Sequence, residues 1–315
     1  MHPSGTAVNR KAIAFAVLIG LSACVLFQVT WGVQPNGHSD FSVVWNGARI
    51  FLAGGNPYAA IGPGRELAFY YYELHYPAST LVAAAPLTLL SERSADFVFV
   101  FSSAFLLAYG ATRENWNRVW IFPSSAFIIA ARTGQWTPLI ASAYFLPWMA
   151  AVVCLKPSNG LPVLVVQKKR AVVVASIVTA VLLAIAFMID PGWPRHWLST
   201  VSGSWEFVSP VARLGGFLLP LALIRWRQRE ARFLFVLSLV PAVSSWYEAL
   251  LPMLVARTRR EAQFLSLTSS IGYLLLIPLA LSSSTTEVST FTVGRMMIAF
   301  CYLPALIVVL RRPND

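Results

Sequence analysis

Residues 12–31 read AIAFAVLIGLSACVLFQVTW, an apolar run without a single charged side chain. A helix needs roughly 20 predominantly apolar residues to cross the hydrocarbon core of a bilayer. The run is long for a signal peptide and no clear small-residue cleavage site follows it. We therefore predict a retained membrane helix, which places the next part of the chain at a membrane surface.

The rest of the chain has the same apolar character. Its 315 residues are 57% hydrophobic and 12% charged, whereas soluble domains carry about 25% charged residues. This excludes a soluble domain with one anchor and predicts a single all-α, polytopic membrane domain over residues 1–315. About twelve apolar segments are expected, the shortest as half-helices or broken helices: 12–31, 77–90, 96–111, 119–131, 136–154, 157–167, 171–189, 211–224, 232–244, 247–256, 264–282 and 293–310.

The formal net charge of +11 reflects basic clusters at the ends of apolar runs, at 168–170, 225–232, 257–260 and 311–312. This is the distribution of cytoplasmic loops in membrane proteins, so nucleic acid is not expected as a partner. Two short passes within 232–256, meeting at 245–248, would keep the second and third clusters on the inside. With this number of passes, Arg113 and Arg118 fall on the outside, against the rule that basic loops are cytoplasmic.

Two outer loops are predicted, at 32–76 and 190–210, both rich in tryptophan. Within the first, apolar residues recur at helical spacing over 41–52, which predicts an amphipathic helix at the membrane interface. Asp40 would be its N-cap or a residue of its first turn.

Metal chemistry has no sequence support. The three cysteines, Cys24, Cys154 and Cys301, are far apart in apolar segments, and no ligand spacing typical of a metal site occurs. We predict no metal and no cofactor.

A series of short blocks resembles the polyprenol-phosphate-sugar-dependent membrane glycosyltransferases of family 87, best known for α-mannosyltransferases of actinobacterial cell envelopes. The blocks occur in the family's order: Asp40, WNGAR at 45–49, GGNPY at 54–58, Tyr76-Pro77-Ala78 leading to Pro86-Leu87, GQ at 134–135, KP at 156–157 and WY at 246–247. The family's second proline is replaced by Ala78, the chain is short between 135 and 156, and Glu248 is an unexpected acid.

The resemblance implies a multi-pass GT-C-type fold in the cytoplasmic (plasma) membrane, with the active site in the outer loops. It implies a hexosyltransferase, by family a mannosyltransferase, that uses a polyprenyl-phosphate-linked sugar and a glycolipid or glycan acceptor and inverts the anomeric carbon. A transporter or flippase of lipid-linked sugars, or a non-catalytic family member, are the alternatives.

Asp40 is the predicted general base, because inverting transfer needs a carboxylate near the acceptor hydroxyl. The competing interpretation is that Asp40 only caps the helix, which would lower its pKa and weaken it as a base.

The departing phosphate needs cations near it. The candidates are Lys156, His196, Arg195 and Arg49. Lys156 lies between two apolar runs, where it could instead extend to the interface. His196 could instead be an interfacial histidine, and Arg49 could equally pair with a nearby acid.

Sugar or acceptor recognition would use aromatic faces and polar groups, although aromatic residues are common at membrane interfaces without any ligand. The candidates are Trp45, Tyr58, Tyr76, Gln135, Trp246, Tyr247 and Glu248, together with the run Tyr70-Tyr71-Tyr72-Glu73. Glu248 could equally neutralise an arginine.

Overall fold

The computed structural model describes residues 9–31, 38–68, 73–202, 207–242, 245–282 and 286–313, and these are helical, without a β-strand. Their α-helices are α1 (Arg10–Trp31), α2 (Asp40–Leu52), α3 (Pro57–Ala60), α4 (Ala78–Ala84), α5 (Glu92–Thr112), α6 (Ser125–Arg132), α7 (Thr137–Phe145), α8 (Pro157–Val165), α9 (Lys169–Ile189), α10 (Trp193–Ser202), α11 (Arg229–Leu239), α12 (Arg259–Ser282), α13 (Thr286–Met297) and α14 (Leu303–Leu310).

Shorter helical pieces join them. The 3₁₀ segments are Ala85–Leu89, Asn117–Ile121, Pro147–Cys154, Pro210–Ala212, Gly216–Arg225, Trp246–Leu250 and Pro252–Val255, and the π-helical turn Ile298–Tyr302 links α13 to α14. Several begin at or next to a proline, which lacks the N–H that would continue an α-helical ladder.

Four helical stretches in the described part of the chain are long and apolar enough to cross a membrane: Arg10–Thr30, Glu92–Thr112, Lys169–Ile189 and Phe291–Leu310. They coincide with the predicted segments 12–31, 96–111, 171–189 and 293–310. The expectation of a helical membrane protein is therefore met, with four candidate spans.

Of the other eight predicted segments, 264–282 lies within the 24-residue helix α12, and the rest form shorter helical pieces. Helix α7 has nine residues and is about 14 Å long at ~1.5 Å per residue, whereas the hydrocarbon core is ~30 Å thick. Helix α8 also has nine residues and contains Pro162. The structure therefore does not show twelve spans, and these two helices have the short lengths expected of half-helices or broken helices.

Residues 232–256 break into two pieces, as predicted. Helix α11 ends at Leu239 and a 3₁₀ turn begins at Trp246.

Basic residues gather at one end of the helices. Asn9 donates to the Arg113 carbonyl at 3.1 Å, and the Arg118 guanidinium donates to the Ala256 carbonyl at 2.7 Å. Arg312 pairs with Glu261 at 2.8 Å. The predicted placement of Arg113 and Arg118 on the side opposite the other basic clusters is therefore wrong, because their contacts put them at the same end.

Helix α2 starts at the opposite end of α1. The hydroxyl of Thr30, near the C-terminus of α1, lies 3.4 Å from the Arg132 carbonyl, and the Asp40 amide donates to the neighbouring Thr133 carbonyl at 3.1 Å. The predicted helix over 41–52 is present, but it is buried on most sides, with Arg49 and Leu52 exposed. Protein packing, more than a lipid interface, surrounds it.

Candidate active site

The start of α2 is fixed by Ser39, not by Asp40. The Ser39 hydroxyl accepts the Ser42 amide at 2.9 Å, and the Ser42 hydroxyl accepts the Ser39 amide at 3.2 Å. This reciprocal cap satisfies the first amides of the helix. Asp40 is a first-turn residue, so the N-cap alternative is wrong and its carboxylate is available for other contacts.

A second carboxylate lies beneath this cap. Asp96 of α5 is fully buried and accepts the hydroxyls of Ser39 and Ser42 at 2.5 and 3.0 Å. A buried acid in an apolar helix needs such donors to offset its desolvation. Asp96 therefore anchors the turn that carries Asp40.

The Asp40 carboxylate, partly buried, accepts a hydrogen bond from the Tyr76 hydroxyl. Burial raises the pKa of Asp40 above its ordinary value, and Lys156, Tyr76 and Gln135 oppose this rise because each favours the charged form. A carboxylate with a raised pKa is a stronger base than an exposed one.

The GQ block brings Gln135 to this carboxylate through a tight turn. Gly134 has φ +64° and its α-carbon approaches Ser39 so closely that an added Cβ would lie 3.0 Å from the Ser39 side chain. Glycine adopts this conformation without steric cost and leaves room for the cap. The turn between α6 and α7 is thereby packed against the start of α2.

Lys156 and Glu248 form a buried ion pair. The Lys156 ammonium donates to Glu248 at 2.8 Å, and the two side chains are 16% and 4% exposed. Burial opposes the charge of Lys156, but Glu248, with help from Tyr247 and Asp40, raises the pKa of Lys156. Lys156 therefore does not extend to the interface, and Glu248 neutralises a lysine rather than an arginine.

Tyrosines line the space between the base and the ion pair. The Lys156 ammonium lies 5.1 Å from the Tyr247 ring centre and 6.0 Å from that of Tyr76, distances at which a cation is attracted to an aromatic face. The Tyr58 hydroxyl donates to the Tyr76 carbonyl at 3.0 Å and so fixes the chain segment that carries Tyr76.

The other predicted residues lie around this cluster rather than within it. Arg49 is exposed and lies over the ring of Trp45, 4.9 Å away. Trp45 donates to the Leu87 carbonyl at 3.1 Å, and Trp246 donates to Ser125 at 2.8 Å. Both tryptophans are buried and pack against the protein, which favours a structural role over sugar recognition.

The second loop touches the edge of the cluster at His75, whose ring lies 5.1 Å from that of Phe207. Trp197 of α10 donates to the His75 carbonyl at 2.9 Å, next to Tyr76. His196 instead lies 3.2 Å from Asp190, and Arg195 is exposed. Residues 70–72 of the tyrosine run, and parts of both predicted loops, lie outside the described residues.

Sequence reasoning missed Asp96. Asp96 stands at the edge of an apolar run, and an ionisable residue in such a run marks a functional or structural role. Among the described residues no group of three histidine, cysteine or acidic side chains is placed to hold a metal ion.

No family model, curated protein or solved structure matches the chain. The resemblance to the family 87 transferases therefore stands on the quoted sequence blocks alone.

Proposed function

We propose that the chain is an integral-membrane glycosyltransferase of GT-C type that transfers a sugar from a polyprenyl-phosphate donor to an acceptor hydroxyl. The observation that carries this proposal is the Asp40 carboxylate, held by Tyr76 and Gln135 beside the Lys156–Glu248 pair. Family resemblance suggests mannose as the sugar and a glycolipid or glycan as the acceptor.

In the proposed reaction the acceptor oxygen attacks the anomeric carbon from the face opposite the phosphate. Asp40 takes the hydroxyl proton as the new carbon–oxygen bond forms. The bond from the anomeric carbon to the phosphate oxygen breaks, and the polyprenyl phosphate leaves with that electron pair. Attack from the opposite face inverts the configuration, so a β-linked donor gives an α-linked product.

The paired Lys156 and Glu248 suit recognition of a neutral sugar. A carboxylate accepts and an ammonium donates hydrogen bonds to hydroxyl groups, while their opposite charges leave the pair electrically neutral. Tyr76 and Tyr247 add aromatic faces beside it.

The position of Asp40 favours the outer side of the membrane. Helix α1 places the basic Arg10 at one end and leads to Asp40 at the other, and basic ends are typically cytoplasmic. A polyprenyl-linked donor fits this side, since a water-soluble nucleotide sugar is a cytoplasmic substrate.

Transfer assays with the purified full chain in nanodiscs test the proposal. Polyprenyl-phosphate mannose would be the donor, with a panel of glycolipid acceptors, in the presence and absence of EDTA. We expect Asp40→Asn and Asp40→Ala to lower transfer by roughly 10²–10⁴-fold, the usual contribution of a general base, and EDTA to have no effect.

Glu114→Gln is the matched control, because Glu114 is 74% exposed and pairs with neighbouring Arg113 at the surface. Transfer that persists in both Asp40 variants would contradict the assignment of the base. Absence of transfer from folded wild-type protein with every donor and acceptor would favour a transporter or a non-catalytic protein.

A further inference from the structure

Exposed basic side chains cover the end of the molecule at which α1 begins. The Arg225 guanidinium donates to the Leu310 carbonyl at 3.1 Å, which joins the basic runs 225–232 and 311–312 at this end. The exposed basic residues here include Arg10, Lys11, Lys168, Lys169, Arg170, Arg227, Arg259, Arg260 and Arg311.

The acids at this end do not neutralise the exposed charges. They are paired with other arginines: Glu114 with Arg113, Glu230 with Arg257 and Glu261 with Arg312. Residues 168–170 are three consecutive exposed cations, and they have no acidic partner in the part of the chain that the structure describes. The surface around them therefore carries an excess of positive charge.

Residues 168–170 lie where a membrane-facing helix begins. Helix α9 has 21 residues and is about 32 Å long at ~1.5 Å per residue, close to the ~30 Å thickness of the hydrocarbon core. Only 11% of its apolar window is buried by the rest of the protein, so most of its surface is available to lipid. The three basic side chains then stand at the level of the lipid headgroups.

A second exposed surface has the same order of apolar and basic residues. Leu221 and Ile224 are 43% and 65% exposed, and they are followed by the exposed Trp226 and Arg227. Tryptophan favours the level at which the hydrocarbon core meets the headgroups. Arg227 therefore lies at headgroup level too.

The end of α7 holds these two surfaces side by side. Gln167, which precedes Lys168, donates to the Ala143 carbonyl at 2.8 Å. Arg229 donates to the carbonyl of the next residue, Tyr144, at 2.6 Å. Because the two acceptors are consecutive residues, the basic runs 168–170 and 225–232 form one continuous basic face.

We propose that this basic face binds the headgroups of anionic phospholipids, with residues 168–170 and Arg227 as its main contacts. The lipid phosphate would face the cations, and the acyl chains would lie along α9 and the exposed Leu221 and Ile224. A basic residue close to a lipid surface strengthens binding roughly fivefold. The inference goes beyond sugar transfer and does not depend on it, because the basic face and Asp40 are at opposite ends of the helices.

Native mass spectrometry of the full chain, released from uncharged detergent micelles, measures the binding of individual lipids. The probes are phosphatidylglycerol, phosphatidylcholine with the same acyl chains, and glycerol 3-phosphate. At low ionic strength we expect phosphatidylglycerol to bind roughly 10- to 100-fold more tightly than phosphatidylcholine, from several cations at ~fivefold each. About 1 M ammonium acetate, which shortens the Debye length to ~3 Å, should remove most of this preference.

Single-charge variants locate the site. Lys169→Gln should weaken phosphatidylglycerol binding roughly fivefold, and the triple variant Lys168→Gln/Lys169→Gln/Arg170→Gln should remove most of the preference. Arg93→Gln is the matched control, because Arg93 is equally a single exposed cation but lies at the opposite end, where it donates to Gln28 at 2.8 Å. It should bind phosphatidylglycerol as the wild type does.

Equal binding of the two lipids by the wild type at low ionic strength would overturn the inference, and this holds even if the triple variant does not fold. The basic residues would then only orient the chain during insertion. Equal losses in Lys169→Gln and Arg93→Gln would show an effect of net charge without a site. Glycerol 3-phosphate that binds as tightly as phosphatidylglycerol would replace the lipid by a free phosphate. Sugar transfer is measured separately, so either proposal can fail while the other stands.

Discussion

Replacement of Lys156 by methionine should destabilise the protein strongly, because it leaves Glu248 charged and buried without its partner. The two groups are 2.8 Å apart and their side chains are 16% and 4% exposed. At an effective dielectric constant of about 20, their attraction is about 6 kcal/mol. Desolvation of both charges offsets most of this, but loss of one partner typically costs about 3–5 kcal/mol.

The same reasoning predicts that adding Glu248→Gln to Lys156→Met restores part of the lost stability. Glu248→Gln alone leaves the ammonium unpaired, and we expect a similar cost. The double variant Lys156→Met/Glu248→Gln carries neither charge, so it should be less destabilised than the sum of the two single variants. Direct contact between the side chains makes a coupling of about 0.5–3 kcal/mol the expected size.

Thermal unfolding followed by tryptophan fluorescence in nanodiscs measures both effects. At ~2–4 °C per kcal/mol, each single variant should lower Tm by roughly 6–20 °C. Glu114→Gln breaks the exposed pair with Arg113, at 3.1 Å, and should change stability by less than about 1 kcal/mol. Single variants that unfold like this control, or a double variant as unstable as the sum, would refute the buried pair.

Three further predictions concern residues around the Lys156–Glu248 pair. Tyr76→Phe removes a donor that favours the charged form of Asp40, so the acid limb of a transfer–pH profile should move to higher pH; an unchanged or lower midpoint would contradict the contact. Asp96→Ala leaves two buried serine hydroxyls without their acceptor and should cost about 1–3 kcal/mol in thermal unfolding, whereas Asp96→Asn, which keeps an acceptor, should cost less; equal losses would argue against anchoring. Burial, with two nearby cations, lowers the pKa of His75 from 6.5 to about 4. Between these two pH values the unfolded chain binds more protons than the folded protein, so the free energy of unfolding should fall by about 3 kcal/mol as the pH drops through this range. His75→Phe should flatten that part of the stability–pH curve, and an unchanged slope would show that other groups cause it.

The sequence could predict what depends on local composition. An apolar run of sufficient length specified α1, α5 and α9, and apolar spacing over 41–52 specified α2. The blocks around Asp40 and Lys156 named most of the residues that meet in the cluster. These signals are local because hydropathy and helical periodicity act within one helix length.

The rest depends on contacts between distant parts of the chain. Lys156 and Glu248 are 92 positions apart, and Ser39 and Asp96 are 57 apart, so no pattern in a short window could pair them. The number of membrane crossings could not be predicted from the sequence for a related reason. Whether a nine-residue apolar helix is half of a crossing or a buried interior piece depends on what covers its ends, and the sequence does not state this.

Charged side chains are scarce in this protein, so each buried ion and its partner are informative. With only 12% charged residues, most buried ions in the described part have an identifiable partner, as Glu230 has with Arg257 and Arg312. Because these pairs satisfy their own charges, they need no ligand. Lys156 and Glu248 likewise satisfy each other's charge, so a ligand at this pair would be held by hydrogen bonds and not by charge neutralisation.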